Sequence, residues 1–158
     1  MIFMIGCAAI QKAEPLIRLS TGNKRQCEKH LILRATNHEG AVVEECNFYM
    51  AKGEAEQVIN NQVKYEYTEP NNGGSGEVKT IYPGTKIVLK FVTVGDREKI
   101  FVDYSHLHLN TPTHDKGNPL PQYSIVEVNT NIILYVGTWT LLEKTDHWTL
   151  EYFYEPMR

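Results

Sequence analysis

Two alternating apolar segments on either side of Gly95-Asp96 constrain this chain more than any other feature. Ile87, Leu89 and Phe91 recur at every second position of residues 85–94, and Ile100, Val102 and Tyr104 do the same in residues 99–109. A period of two belongs to a strand with one face buried. Gly95-Asp96, followed by Arg97-Glu98, supplies a tight hairpin turn between them. Register follows from the pattern, because the two apolar faces coincide only if the turn lies at Gly95-Asp96. A slip by one residue would drive Lys86 and Lys90 into the core, at a cost on the order of several kcal/mol each if unpaired.

The same grammar runs through most of the chain. Residues 30–36 and 41–50 read as strands joined by a turn at Asn37-His38-Glu39-Gly40, with residues 63–68 and 77–82 as further strands. The stretch 54–61 fits either one helical turn or an irregular strand. Residues 70–76, rich in Asn and Gly, form a loop or hairpin tip, and residues 111–122 form a polar loop. Residues 123–135, 138–142 and 148–154 complete the set, the last as a plausible sheet edge. Nine tyrosines and many Val, Ile and Thr residues favour strands over helices. The expected fold is therefore all-β, a sandwich or barrel-like antiparallel sheet. The 158 residues allow one domain with a real core: residues 1–28 as a lead-in and tether, with 16–19 a possible short strand, and residues 29–158 as a single β domain.

Composition narrows the partners. A net charge of -3 argues against nucleic acid, which calls for a basic surface. No apolar run reaches the ~18 residues of a membrane-spanning helix. The amino-terminal residues suggest a different attachment. An apolar run ends in Ile5-Gly6-Cys7 and turns abruptly polar, the shape of a lipoprotein signal whose cysteine is cleaved and acylated. A complete signal has a basic start and roughly 7–15 apolar residues, so the natural start is expected upstream of Met1. Acylation of Cys7 would anchor the chain to a membrane, and Ala8 after it favours outer-membrane sorting. The remaining cysteines, Cys27 and Cys46, are an even pair that an oxidising periplasm would let join as a disulfide. The alternative is two unrelated buried thiols.

In order, the segments resemble the core of the bacterial secretin family, the outer-membrane channel subunits of type II and type III secretion and of type IV pili. The resemblance spans roughly residues 45–143 and rests on Gly84-Thr85-Lys86 and Val128-Asn129-Thr130, with the intervening hairpin, the polar loop and the turn at Gly137. Lys64 stands where the family usually has proline, and Glu143-Lys144 where it places Gly-Gly-Leu. The resemblance implies a structural or assembly component of a secretion or pilus channel, facing the periplasm. It also implies self-association or pairing with other envelope proteins. The alternative is a monomeric periplasmic β-sandwich lipoprotein that binds a protein or a small ligand.

Candidate chemistry is sparse. His106 and His108 share one face of a strand and, with His114 beyond, could assemble a zinc or copper site; the rival is a set of exposed histidines running into a polar loop. Ser105 and His106 are strand neighbours facing opposite ways, as are Glu44 and Glu45, so neither pair makes a catalytic dyad. Tyr65, Tyr67 and Tyr82 flank the glycine loop as packing residues or as a partner patch, and Trp139 and Trp148 read as core anchors. No nucleophile, phosphate-loop or zinc-protease motif occurs, so the expectation is a protein without enzymatic activity and without a cofactor.

Overall fold

The computed structural model describes residues 16–70, 72–110 and 120–157. Every regular element in them is a strand: β1 (Ile17–Gly22), β2 (Lys29–Asn37), β3 (Val42–Met50), β4 (Glu56–Asn60), β5 (Tyr65–Glu69), β6 (Glu77–Ile81), β7 (Gly84–Val94), β8 (Arg97–Asn110), β9 (Gln122–Ile133), β10 (Thr140–Lys144) and β11 (Trp148–Pro156). The strands form a five-stranded sheet in the order β1-β3-β2-β11-β10 and a four-stranded sheet in the order β4-β7-β8-β9, with β5 and β6 paired as a separate hairpin. Neither sheet closes into a barrel.

One core joins the two sheets. Leu31, Leu33, Cys46, Phe48, Leu150 and Tyr152 come from the five-stranded sheet; Ile87, Leu89, Ile100, Val102, Tyr104 and Val128 come from the four-stranded one. Sidedness decides the arrangement: each sheet carries an alternating apolar face, and the two faces are buried against each other as a sandwich. The 85–104 hairpin forms in the expected register. Val94 pairs with Arg97, which leaves Gly95-Asp96 as the turn, and Gly95 takes the positive φ of 63° that such turns require. Ile87 and Leu89 point inward while Lys86 and Lys90 face solvent.

Two expectations change, and one open reading is decided. The possible short strand at 16–19 forms as β1 over residues 17–22 and belongs to the sheet rather than to a tether: it pairs in parallel with β3 along its whole length and packs Leu19 against the core. Of the two readings open for 54–61, the strand is the one that forms, over Glu56–Asn60, where β4 pairs with β7 and buries Gln57 and Ile59 in alternation. The final strand is not an edge, since β11 lies between β2 and β10. Its burial of Leu150, Tyr152 and Tyr154 is that of an interior strand.

Closeness between the amino-terminal strand and the rest depends on one glycine. Gly22 has φ +85°, and a Cβ there would lie 1.8 Å from the carbonyl oxygen of Tyr49 and 2.8 Å from Nε2 of Gln57. That carbonyl accepts a 2.7 Å hydrogen bond from Gln57 Nε2. Gln57, on the four-stranded sheet, thus ties its sheet to β3 at the point where β1 ends.

Candidate functional site

The most polar part of the interior lies between the sheets, around Glu44. In β3 the pairing with β2 shifts between Ala35 and Thr36, so that Val43 becomes an extra residue. This bulge buries Val43 and Glu44 in succession, whereas regular alternation would bury only one of them. Glu44 is 2% exposed and reaches across to β7 and β8. Thr85 Oγ1 donates a short hydrogen bond to Glu44 Oε2, and Tyr104 OH donates to Oε1 at 3.0 Å. Thr85 Oγ1 also lies 2.7 Å from His106 Nδ1, which is 3.7 Å from Glu44 Oε2.

The proton inventory orders this network. A threonine hydroxyl has one hydrogen, and the carboxylate claims it, so the contact with His106 requires Nδ1–H to donate to Thr85. The chain then runs from imidazole to hydroxyl to carboxylate, with the Tyr104 phenol closing it from the other side. Registry accounts for the convergence, since Thr85 is the cross-strand partner of His106, and Ile87 that of Tyr104. A buried carboxylate costs several kcal/mol in desolvation unless hydrogen bonds compensate it, on the order of 1.5–3 kcal/mol per charged bond. Burial pushes the Tyr104 phenol well up, with the Glu44 charge and hydrogen bond adding to it; the Trp148 indole opposes the rise. Burial, then Glu44, likewise pushes the Cys46 thiol up.

His106 is therefore not the exposed strand histidine of the bland alternative. It is 8% exposed and stacks on Trp148 at 5.4 Å between ring centroids. His108 is exposed, with its ring 6.3 Å from that of His106. His114 and Cys7 lie outside the described residues. Among those described, no three His, Cys, Asp or Glu side chains are placed to hold a metal ion. Glu44 carried no chemical motif in the sequence; a carboxylate in a strand otherwise alternating toward the core was its only signal.

The expected disulfide is not formed. Cys27 and Cys46 are both free thiols. Cys27 precedes β2, where Glu28 N bonds to the Met50 carbonyl, while Cys46 sits opposite Leu33 in mid-strand. Met50 lies four residue steps along β3 from Cys46, about 13 Å at ~3.3 Å per residue, far beyond the ~7 Å a disulfide spans.

Outside the core, the five-stranded sheet shows solvent a row of alternating charge: Arg18, Glu45, Arg34 and Glu151 stand side by side across β1, β3, β2 and β11. Arg34 bonds Glu151 at 2.9 Å and lies 3.7 Å from the centroid of Trp139. Trp139 is thus on the outer face, not a core anchor, whereas Trp148 packs against the core. Tyr82 is exposed beside the β5–β6 hairpin, with Tyr65 and Tyr67 half-buried.

The sheet edges differ in length. β1, β4 and β10 are five or six residues long. β9 runs for twelve residues, Gln122–Ile133, with Glu127 as its single charge and neither lysine nor proline. Tyr123 and Ile125 on it are 44% and 51% exposed. Among the described residues, no strand pairs with the side of β9 away from β8. No family model, curated protein or solved structure matches this chain.

Proposed function

We propose that this protein is a non-enzymatic β-sandwich module of a bacterial envelope assembly, held to the outer membrane by a lipid on Cys7, that joins its partner by strand addition to β9. One observation carries this: among the described residues no strand pairs with the outer side of β9, and its twelve residues include neither the lysines nor the prolines with which proteins commonly blunt exposed edges. Unpaired backbone N–H and C=O groups along such an edge give affinity, and alternate side chains give selectivity. The Glu44 network fits the same role. Its carboxylate oxygens are occupied by Thr85 and Tyr104, an arrangement that locks one sheet to the other and gives the edge a rigid base.

A component of a secretin-type channel is the more specific form of this proposal. It draws on the succession of the β7–β8 hairpin and β9, in which Gly84-Thr85-Lys86 opens the hairpin and Val128-Asn129-Thr130 lies on the returning strand.

Photo-crosslinking residues placed singly at 123, 125, 127, 129 and 131 in the intact, membrane-bound protein test the docking edge. Strand addition predicts cross-links that step along one extended segment of the partner in order, with none from a probe at Lys86 on the interior strand β7. Cross-links without that order, or none along β9, would overturn the docking role. Recovery of Cys7 without an acyl group in the natural protein would remove the anchor.

A further inference from the structure

We infer that the strand added to β9 is β9 of a second copy of this chain, paired antiparallel about a two-fold axis through Val128, so that two four-stranded sheets become one of eight. The inference rests on the reading of β9 as the docking edge and names its occupant.

The self-complementarity of the strand supports it. A two-fold axis perpendicular to the sheet keeps inner faces together, so opposed residue numbers must sum to an even value. A sum of 254 pairs residues 122–132 but sets Glu127 against the partner's Glu127, and like charges directly opposite are unfavourable. A sum of 256 is the longest register that avoids this, spanning residues 123–133. It sets Tyr123 against the partner's Ile133, Ile125 against the partner's Asn131, and Glu127 against the partner's Asn129. On the inner side, Ser124 meets the partner's Ile132, Val126 meets the partner's Thr130, and Val128 meets the partner's Val128.

Faces assigned by the β8 pairing agree. Val128 and Val126 lie opposite the buried Tyr104 and His106, so even-numbered residues face the core, whereas Tyr123, Ile125, Glu127 and Asn129 face outward and are exposed. In the paired sheet, the exposed Tyr123 is covered by an apolar residue, and the two copies' single β9 charges stand apart, each opposite an amide. β4 shares this property, since an axis through Val58 would set Glu56 against the partner's Asn60, but β1, β4 and β10 are only five or six residues long against twelve for β9, so among these edges β9 offers the longest seam.

Charge reversal tests occupant and register together. Asn129→Glu and Glu127→Lys both alter exposed outer-face positions and leave the core untouched. Sedimentation velocity of the full chain over a concentration series is expected to show a reversible dimer. Asn129→Glu alone places two Glu–Glu pairs across the axis and is expected to weaken association by about tenfold or more. Asn129→Glu combined with Glu127→Lys turns both into Lys–Glu pairs and restores it. Loss without rescue would overturn the register, and an unchanged dimer would overturn β9 as its seam. A chain that stays monomeric throughout, yet cross-links in order along β9 to a different protein, would overturn the second copy while leaving the docking edge intact.

Discussion

Thr85 and His106 stand opposite each other on β7 and β8, and the Thr85 hydroxyl links the His106 ring to Glu44 on the facing sheet. This three-residue relay, closed by Tyr104, is a polar clasp inside an otherwise apolar sandwich. Its members sit at the same layer of their strands, so the clasp forms only when both sheets hold their native registers. Buried polar networks of this kind discriminate against slipped packings, since any slip would leave a carboxylate without its donors.

Removing one donor should therefore be costly out of proportion to the atom deleted. Tyr104→Phe is expected to destabilise the fold by about 1–3 kcal/mol, because Glu44 Oε1 loses its partner in a water-poor site. Glu44→Gln should cost a similar amount by presenting an amide N–H to a donor. Urea unfolding of both single variants and the double variant checks this. The double variant is expected to lose less than the sum, with a coupling of roughly 0.5–3 kcal/mol. Strict additivity would mean that the clasp is not a unit.

Gly22→Ala should destabilise the protein by about 1–3 kcal/mol or more, from a strained positive φ and a clash with the Tyr49 carbonyl. Gly40→Ala is the control: it also has a positive φ, but no atom lies near its added Cβ. Thermal melts should therefore rank Gly22→Ala as the worse of the two.

Cys46 should resist alkylation in the native protein. It is 1% exposed, and burial followed by the neighbouring Glu44 raises its thiol pKa, so both access and thiolate are scarce. Its modification rate in dilute denaturant is expected to track global unfolding, while the half-buried Cys27 reacts earlier. Mass spectrometry of the labelled protein separates the two sites.

Acid should weaken the opposite end of the sandwich through Glu98. Burial pushes this carboxyl up, but hydrogen bonds from Lys29 and Tyr154 and the Lys29 charge outweigh it and hold the pKa below its ordinary value of 4.5. A depressed folded-state pKa means a contribution that is complete above the unfolded value and lost as pH falls through the folded one. Stability should thus decline below about pH 4.5. Lys29→Met is expected to lower stability at neutral pH and to flatten that acid limb. An unchanged slope in denaturant titrations across the acid range would refute Glu98 as a contributor.

Sequence pattern reached the local structure further than the chemistry. The β7–β8 hairpin was legible to the residue, because alternation and a Gly-Asp turn are local signals that leave one register open. The clasp was not legible. His106 looked like a surface ligand because strand periodicity reveals a face but not whether another sheet covers it. Alternation sets Glu44 and Glu45 on opposite faces without showing which is buried, and a bulge and a partner sheet were needed to bury Glu44 beside Val43. The cysteine pair was misread for the same reason: an even count carries no distances, and strand geometry keeps Cys27 and Cys46 apart.

What the sequence determined by itself was the all-β class, the turn at Gly95-Asp96 and the inward faces of β7 and β8. These follow from steric preference and a two-residue period within single segments. Only the tertiary structure decided which strands are edges, that β1 joins the sheet, and that Glu44, Thr85, Tyr104 and His106 meet. Those outcomes depend on how two sheets stack, and stacking is set by contacts between residues tens of positions apart, for which no local period exists.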